Sequence, residues 1–152
     1  MTPQELIELA SGLTDKLFDA NGEMRPVYMV ETDDALNLVP PPPHLNKDAG
    51  LRLIKLLMKE MGATAYVFVD EAWVVEGADN IDLSIPAAEH PRRKEQIIFI
   101  AETDTETALG HRDIIRPVIG GKPTLGPLKI EELTQLTGRM TGLLSHQPKT
   151  RH

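Results

Sequence analysis

The sequence predicts an α+β domain: a five-stranded, mostly antiparallel sheet flanked by about three helices, in the order helix, strand, strand, helix, strand, strand, strand, helix. Three observations predict it. Two stretches in the first half carry apolar residues at helical spacing, each closed by a glycine. Two pairs of strand-like runs are joined by short polar turns, which favours hairpins over parallel crossovers. One run, Thr64 to Val75, is apolar on both faces at its start, as a central strand covered on both sides would be.

The elements follow in order. Thr2-Pro3-Gln4-Glu5 opens a helix: Thr2 caps, Pro3 suits the first helical position and Glu5 completes a capping box. Leu6, Leu9, Ala10, Leu13 and Leu17 form its apolar stripe, and Asn21-Gly22 stops it. Residues 26–32 read as a strand, Asp33-Asp34 as a turn, and Leu36 to Val39 as a returning strand with Leu36 and Leu38 on one face. The prolines 40–43 belong to neither helix nor central strand and read as a spacer off the sheet edge. Asn46 caps a second helix with an apolar face of Ala49, Leu53, Ile54, Leu57, Met58 and Met61, ended by Gly62.

After the central run comes a long connection over residues 76–94. Gln96 to Glu102 is the next strand, residues 103–106 its turn, and Thr107 to Val118 a longer, more polar return. The glycines and prolines between 120 and 127 read as loop. Ile130, Leu133, Leu136, Met140, Leu143 and Leu144 predict a third helix. The expectation is one domain over residues 1–146 and a flexible tail over 147–152.

Bulk properties narrow the function. With 41% hydrophobic and 26% charged residues the class is globular and soluble, and no apolar run reaches membrane-spanning length. Residues 1–5 begin no signal peptide, and cysteine is absent, which removes disulfides and thiol chemistry; a cytoplasmic location is expected. The net charge of −7 is uneven: −6 over residues 1–34, −6 over 63–89, +2 over 35–62 and +3 over 90–152. Such an acidic body argues against nucleic-acid binding, while its complementary patches suit self-association. Nucleotide-loop, zincin and serine-hydrolase motifs are missing, and the histidines at 44, 90, 111, 146 and 152 form no metal-ligand spacing, so neither cofactor nor metal is expected.

Three constellations remain. Glu71 and Trp73 share one strand face, with Asp70 on the other. Glu71 is either a general acid or base beside an aromatic wall, or an ordinary carboxylate paired with Arg112 or Arg116. His90, Arg92 and Arg93 lie in the densest basic stretch and suit a phosphate or carboxylate, unless Glu89 and Glu95 satisfy them locally. His111 and Asp113 share a face, with Arg112 opposite, but no activated serine accompanies them. Gly138 to Gly142 has a small-residue spacing that suits close helix packing.

The element order resembles the roadblock and profilin-like folds, and that resemblance implies a non-enzymatic scaffold dimerising through its sheet and a helix. The phrase from Ala65 to Trp73 with Glu89 to Glu95 resembles a group of uncharacterised bacterial and phage-borne proteins, which implies no activity. The expected function is a non-catalytic, cytosolic protein-interaction or regulatory module. It is expected to be homodimeric and to bind another protein through Trp73, His90, Arg92 and Arg93. The alternative is a small phosphate- or nucleotide-binding protein or hydrolase using Arg92, Arg93 and Arg112 with Glu71 or His90.

Overall fold

The computed structural model describes residues 1–42, 46–75 and 93–133. These residues form an α+β structure, with two helices among them and an open antiparallel sheet. The elements are α1 (Pro3–Asn21), β1 (Val27–Glu31), β2 (Leu36–Val39), α2 (Lys47–Met61), β3 (Ala65–Val75), β4 (Arg93–Thr103), β5 (Thr107–Ile115), β6 (Thr124–Leu125) and β7 (Lys129–Leu133). The sheet runs β2-β1-β3-β4-β5-β6, and β7 also pairs with β5. The outer edge of β5 is thus divided: β7 takes Thr107 to His111 and β6 takes Ile114 and Ile115.

Local chemistry sets the helix ends. The Thr2 hydroxyl accepts from the Glu5 N–H at 3.1 Å and the Glu5 carboxylate accepts from the Thr2 N–H at 2.8 Å, the reciprocal box that the sequence predicts. Asn46 caps α2 by accepting from the Ala49 N–H at 2.8 Å. Gly22 and Gly62 close the two helices at φ 70° and 72°, the left-handed region where a side chain is strained.

Strand alternation sorts the core into two layers. Ala65, Val67 and Val69 of β3 join Ile97, Phe99 and Ala101 of β4 under α1. Tyr28, Tyr66 and Phe68 face the other way and take Ile54 and Met58 of α2. Burying each such side chain contributes about 1.5–3 kcal/mol, so these layers are the main source of stability. Both faces of the first half of β3 are buried, as its sequence predicts.

The α1 stripe is rotated from its expected place. Leu6, Ile7, Ala10, Thr14 and Phe18 are buried, whereas Leu9 and Leu17 are 44% and 37% exposed. Gly110 is the reason α1 lies so close to β5. A Cβ at that position would come within 2.9 Å of Ile7 Cγ2 and 3.3 Å of the Lys129 carbonyl oxygen. Polar residues are also buried with partners. The Tyr66 hydroxyl donates to Glu102 Oε1 at 2.7 Å, both groups lying in the interior. Tyr66→Phe is expected to lower stability by about 1–3 kcal/mol, read as a lower urea midpoint with an unchanged slope.

Several expected boundaries are corrected. Among the described residues the sheet has seven strands, not five, because the 120–133 region supplies β6 and β7. Ile130 and Leu133 sit in a strand, not at the start of a third helix. Ile130 stands opposite Gly110 and packs on the α1 layer, and the pairing satisfies the backbone of β5's outer edge. The rest of the expected third helix and the tail lie outside the described residues. β4 begins at Arg93, so Arg93, Lys94 and Glu95 are ladder residues and not part of a loop. β5 ends at Ile115, three residues short of the expected Val118.

Candidate functional site

The expected site residues divide by sheet face. Glu71, Trp73, Arg93 and Glu95 occupy odd positions of β3 and β4, on the side of the α1 layer; Arg112 of β5 joins them there, and Arg116, one residue past β5, reaches Glu95. His90 and Arg92 lie outside the described residues, as does most of the 76–94 connection.

Arg112 is a structural clamp. Its Nη1 donates to Asp15 Oδ1 at 2.7 Å, to the Ser11 carbonyl at 3.2 Å and to the hydroxyls of Ser11 and Thr14 at 3.3 and 3.4 Å. Its Nε donates to the Gly126 carbonyl at 2.8 Å. One guanidinium therefore ties α1 to β5 and to the turn after β6. The sequence suggested that Glu71 pairs with Arg112 or Arg116, but it makes no ion pair with either within 4 Å. Its carboxylate accepts from the Met24 N–H, fixing the chain between α1 and β1. Arg116 instead grips Glu95 through two bonds of 2.5 and 2.9 Å, and that hydrogen bonding holds the Glu95 carboxyl below the usual glutamate range. Arg93 stacks its guanidinium 5.2 Å above the Trp73 ring, which is 43% exposed. The described part of this patch is held in local pairs and stacks, and it surrounds no common cavity.

His111 and Asp113 do share a face, but Asp113 accepts from Gln96 Nε2 at 2.8 Å and approaches Lys94 Nζ at 3.8 Å, a cross-strand network without a nucleophile. Among the described residues, no three histidine or acidic side chains gather to hold a metal ion. No helix there is long and apolar enough to cross a membrane.

The concave surfaces lie elsewhere. On the α2 side, a cavity of about 480 Å³ opens between the proline run, the first turns of α2 and the sheet. Pro41, Pro42, Leu51, Ile54, Phe68 and Ile98 give it apolar walls, and Asp70 places a carboxylate in it. Burial pushes the Asp70 carboxyl up and the neighbouring Glu71 charge adds to this. The Glu71 N–H, donating to Asp70 Oδ1 at 2.8 Å, and the Lys47 charge oppose it. Tyr28, also on this wall, is pushed up to about 12 by burial and by Asp70, so its phenol stays protonated near neutrality.

The raised Asp70 carboxyl has a stability consequence. Its folded pKa lies above its unfolded one, so the folded state holds the proton more tightly between those values. Stability is therefore lost as pH rises through that window and the charged form becomes a net cost above it. Asp70→Asn is expected to raise the melting temperature at neutral pH, with the gain shrinking as pH falls to the ordinary aspartate range. A gain that stays constant with pH would contradict it.

On the α1 side, a second groove of about 440 Å³ runs between α1 and β2, lined by Leu9, Leu13, Lys16, Met29, Leu36 and Leu38. Leu38 is 53% exposed and Leu36 39%. β2 pairs only with β1, so its outer edge is open among the described residues.

Comparison with family models, curated proteins and solved structures finds no match. The two concave surfaces escaped the sequence reading for different reasons. The proline run was a spacer by composition, and Gly50 only a weak helix position, yet both border the α2 cavity. Periodicity put Leu9 and Leu13 on the apolar stripe of α1 and Leu36 and Leu38 on one strand face, and it cannot tell a covered apolar stripe from an open one.

Proposed function

We propose that this protein is a non-catalytic interaction module that works as a homodimer, joined edge to edge through β2. The observation that carries this reading is the open β2 edge with its exposed leucines, continuous with the leucines of α1. An uncovered edge strand with apolar side chains is a template for pairing, and soluble proteins cover or charge such edges.

The charges favour a second copy as the occupant. The Met1 ammonium reaches Glu31 at 3.2 Å, so the start of α1 lies by the end of β1, and the helix runs parallel to β2. Asp33 and Asp34 therefore stand at one end of the groove and Lys16 toward the other. Antiparallel pairing of β2 with its symmetry mate brings the acidic turn of each copy toward Lys16 of the other, a self-complementary arrangement. The pairing also joins the two sheets and buries the exposed Leu9, Leu36 and Leu38 with the half-buried Leu13 in one seam.

Catalysis draws less support. Of the groups a hydrolase or phosphate-binding site would need, Glu71 and Arg112 are spent on tying the fold together, and Arg93 stacks on Trp73. Sedimentation equilibrium at micromolar concentration is expected to give twice the 16.8 kDa chain mass. A monomer throughout that range overturns the homodimer.

A further inference from the structure

We propose that the cavity between α2 and the sheet is a binding site for a small uncharged molecule whose apolar body carries one head group that both donates and accepts hydrogen bonds, as a primary amide does. The cavity lies on the face of the sheet away from the α1 groove, so it stands or falls separately from the dimer.

The walls set the body of the ligand. Pro41, Pro42, Leu51, Ile54 and Ile98 are apolar, and Phe68 closes the floor beside Tyr28, the two rings 4.6 Å apart. A cavity of about 480 Å³ is within the range that holds small organic molecules.

Two unmet polar groups set the head. Tyr28 is 2% exposed, yet among the described residues its hydroxyl makes no hydrogen bond. The other tyrosine, Tyr66, is equally buried and donates to Glu102. A buried hydroxyl without a partner is costly, and native proteins leave few. Tyr28 stands opposite Phe68 in the β1–β3 ladder, and Asp70 is the next residue of β3 on that face. Asp70 Oδ1 accepts from the Glu71 N–H at 2.8 Å, and no described residue donates to its other oxygen. The lining thus carries one O–H donor and one carboxylate acceptor, neighbours on the sheet but not bonded to each other. A head group that accepts from the phenol and donates to the carboxylate satisfies both. Burial and the Asp70 charge push the Tyr28 phenol up to about 12, so it keeps the proton it donates.

Charge selects no ion. Glu71 borders the cavity, but its carboxylate lies on the other face of the sheet, bonded to the Met24 N–H. Asp70 and Lys47 are the charges left on the lining, and they cancel. An ion brought against these apolar walls loses its hydration and finds no excess of opposite charge. Each ionic head also fails one of the two unmet groups: a carboxylate has no proton for Asp70, and an ammonium has no lone pair for Tyr28.

The test uses four molecules of one shape: 2-phenylacetamide, methyl phenylacetate, phenylacetate and phenethylamine. The ester is uncharged and accepts but cannot donate. Each is titrated into the full chain while amide resonances of Gly50, Phe68 and Ala72 are followed by two-dimensional NMR. The amide is expected to move these resonances at millimolar concentration, and the other three to bind about tenfold more weakly or not at all. Tyr28→Phe removes the donor, and Asp70→Asn replaces the unmet acceptor by a donor while keeping an acceptor for the Glu71 N–H. Each is expected to weaken the amide about tenfold, and the NMR spectrum of each variant checks its fold. Tyr28→Phe is also expected to melt no lower than the wild type, because the hydroxyl it removes has no partner in the fold. No resonance moved by the amide, equal binding of any of the other three molecules, undiminished binding by either variant, or a clearly lower melting temperature for Tyr28→Phe would each overturn the proposal.

Discussion

Replacing Arg112 by alanine is expected to destabilise the protein by about 2–4 kcal/mol. The guanidinium is one of the least exposed charges described, at 11%, and from β5 it satisfies acceptors on two segments at once, α1 and the turn at Gly126. Its removal takes the donor from the Ser11 hydroxyl and from the Gly126 carbonyl, whereas the Thr14 hydroxyl keeps its bond to the Ser11 carbonyl at 2.6 Å; Ser11 is only 8% exposed. Arg112→Lys is expected to recover little, because a single ammonium cannot reach both Gly126 and α1 as the planar fork does. Asp15→Asn is the informative contrast. Its carboxylate is 60% exposed, so losing that ion pair alone is expected to cost less than about 1 kcal/mol. Urea midpoints of the three variants separate a clamp from a surface ion pair. If Arg112→Ala costs no more than Asp15→Asn, the clamp is wrong.

The second large effect concerns association. The double change Leu36→Lys with Leu38→Lys is expected to raise the dimer dissociation constant at least about thirtyfold, leaving a folded monomer at micromolar concentration. Both side chains are well exposed in the single chain, so the fold does not depend on them. Charges on an edge strand are the usual way to block strand pairing. Leu56→Lys on the outer side of α2, at 55% exposure, serves as the control and is expected to leave association unchanged. Circular dichroism of each variant checks the fold, and sedimentation reads the mass. Equal association by the double variant and the wild type would mean that the copies meet elsewhere.

How much of this was legible in the sequence depends on which interaction decides each element. Thr2, Glu5, Asn46, Gly22 and Gly62 act on their nearest neighbours, so the ends of α1 and α2 could be read directly. The unbroken apolar run over Ala65 to Val69 marked the central strand for the same reason. Ile130 and Leu133 show the limit. Their spacing fits a helix turn as well as a strand, and the free edge of β5, over a dozen residues earlier, decides between them. The α1 leucines show another. Ile7 against Gly110 sets the helix rotation, and that contact spans the whole chain. Among the candidate site residues, the shared face of Glu71 and Trp73 was legible from strand period. Their partners were not: Met24 and Arg93 come from segments whose approach no local pattern encodes. Asp70 was placed on the opposite face correctly, but the cavity around it needs α2 and the prolines folded against the sheet.

The central claim is that two copies join through β2, and the absence of cysteine makes a direct distance measurement simple. A nitroxide attached to Asn37→Cys puts one label on β2 of each copy. Antiparallel pairing of the two edges, whatever its register over four residues, is expected to give an inter-chain distance below about 30 Å by pulsed electron resonance, given strand spacings of about 5 Å and the reach of the labels. A dimer whose labels lie well beyond that distance, or a sample with no dipolar coupling at all, would contradict the β2 edge as the site of assembly.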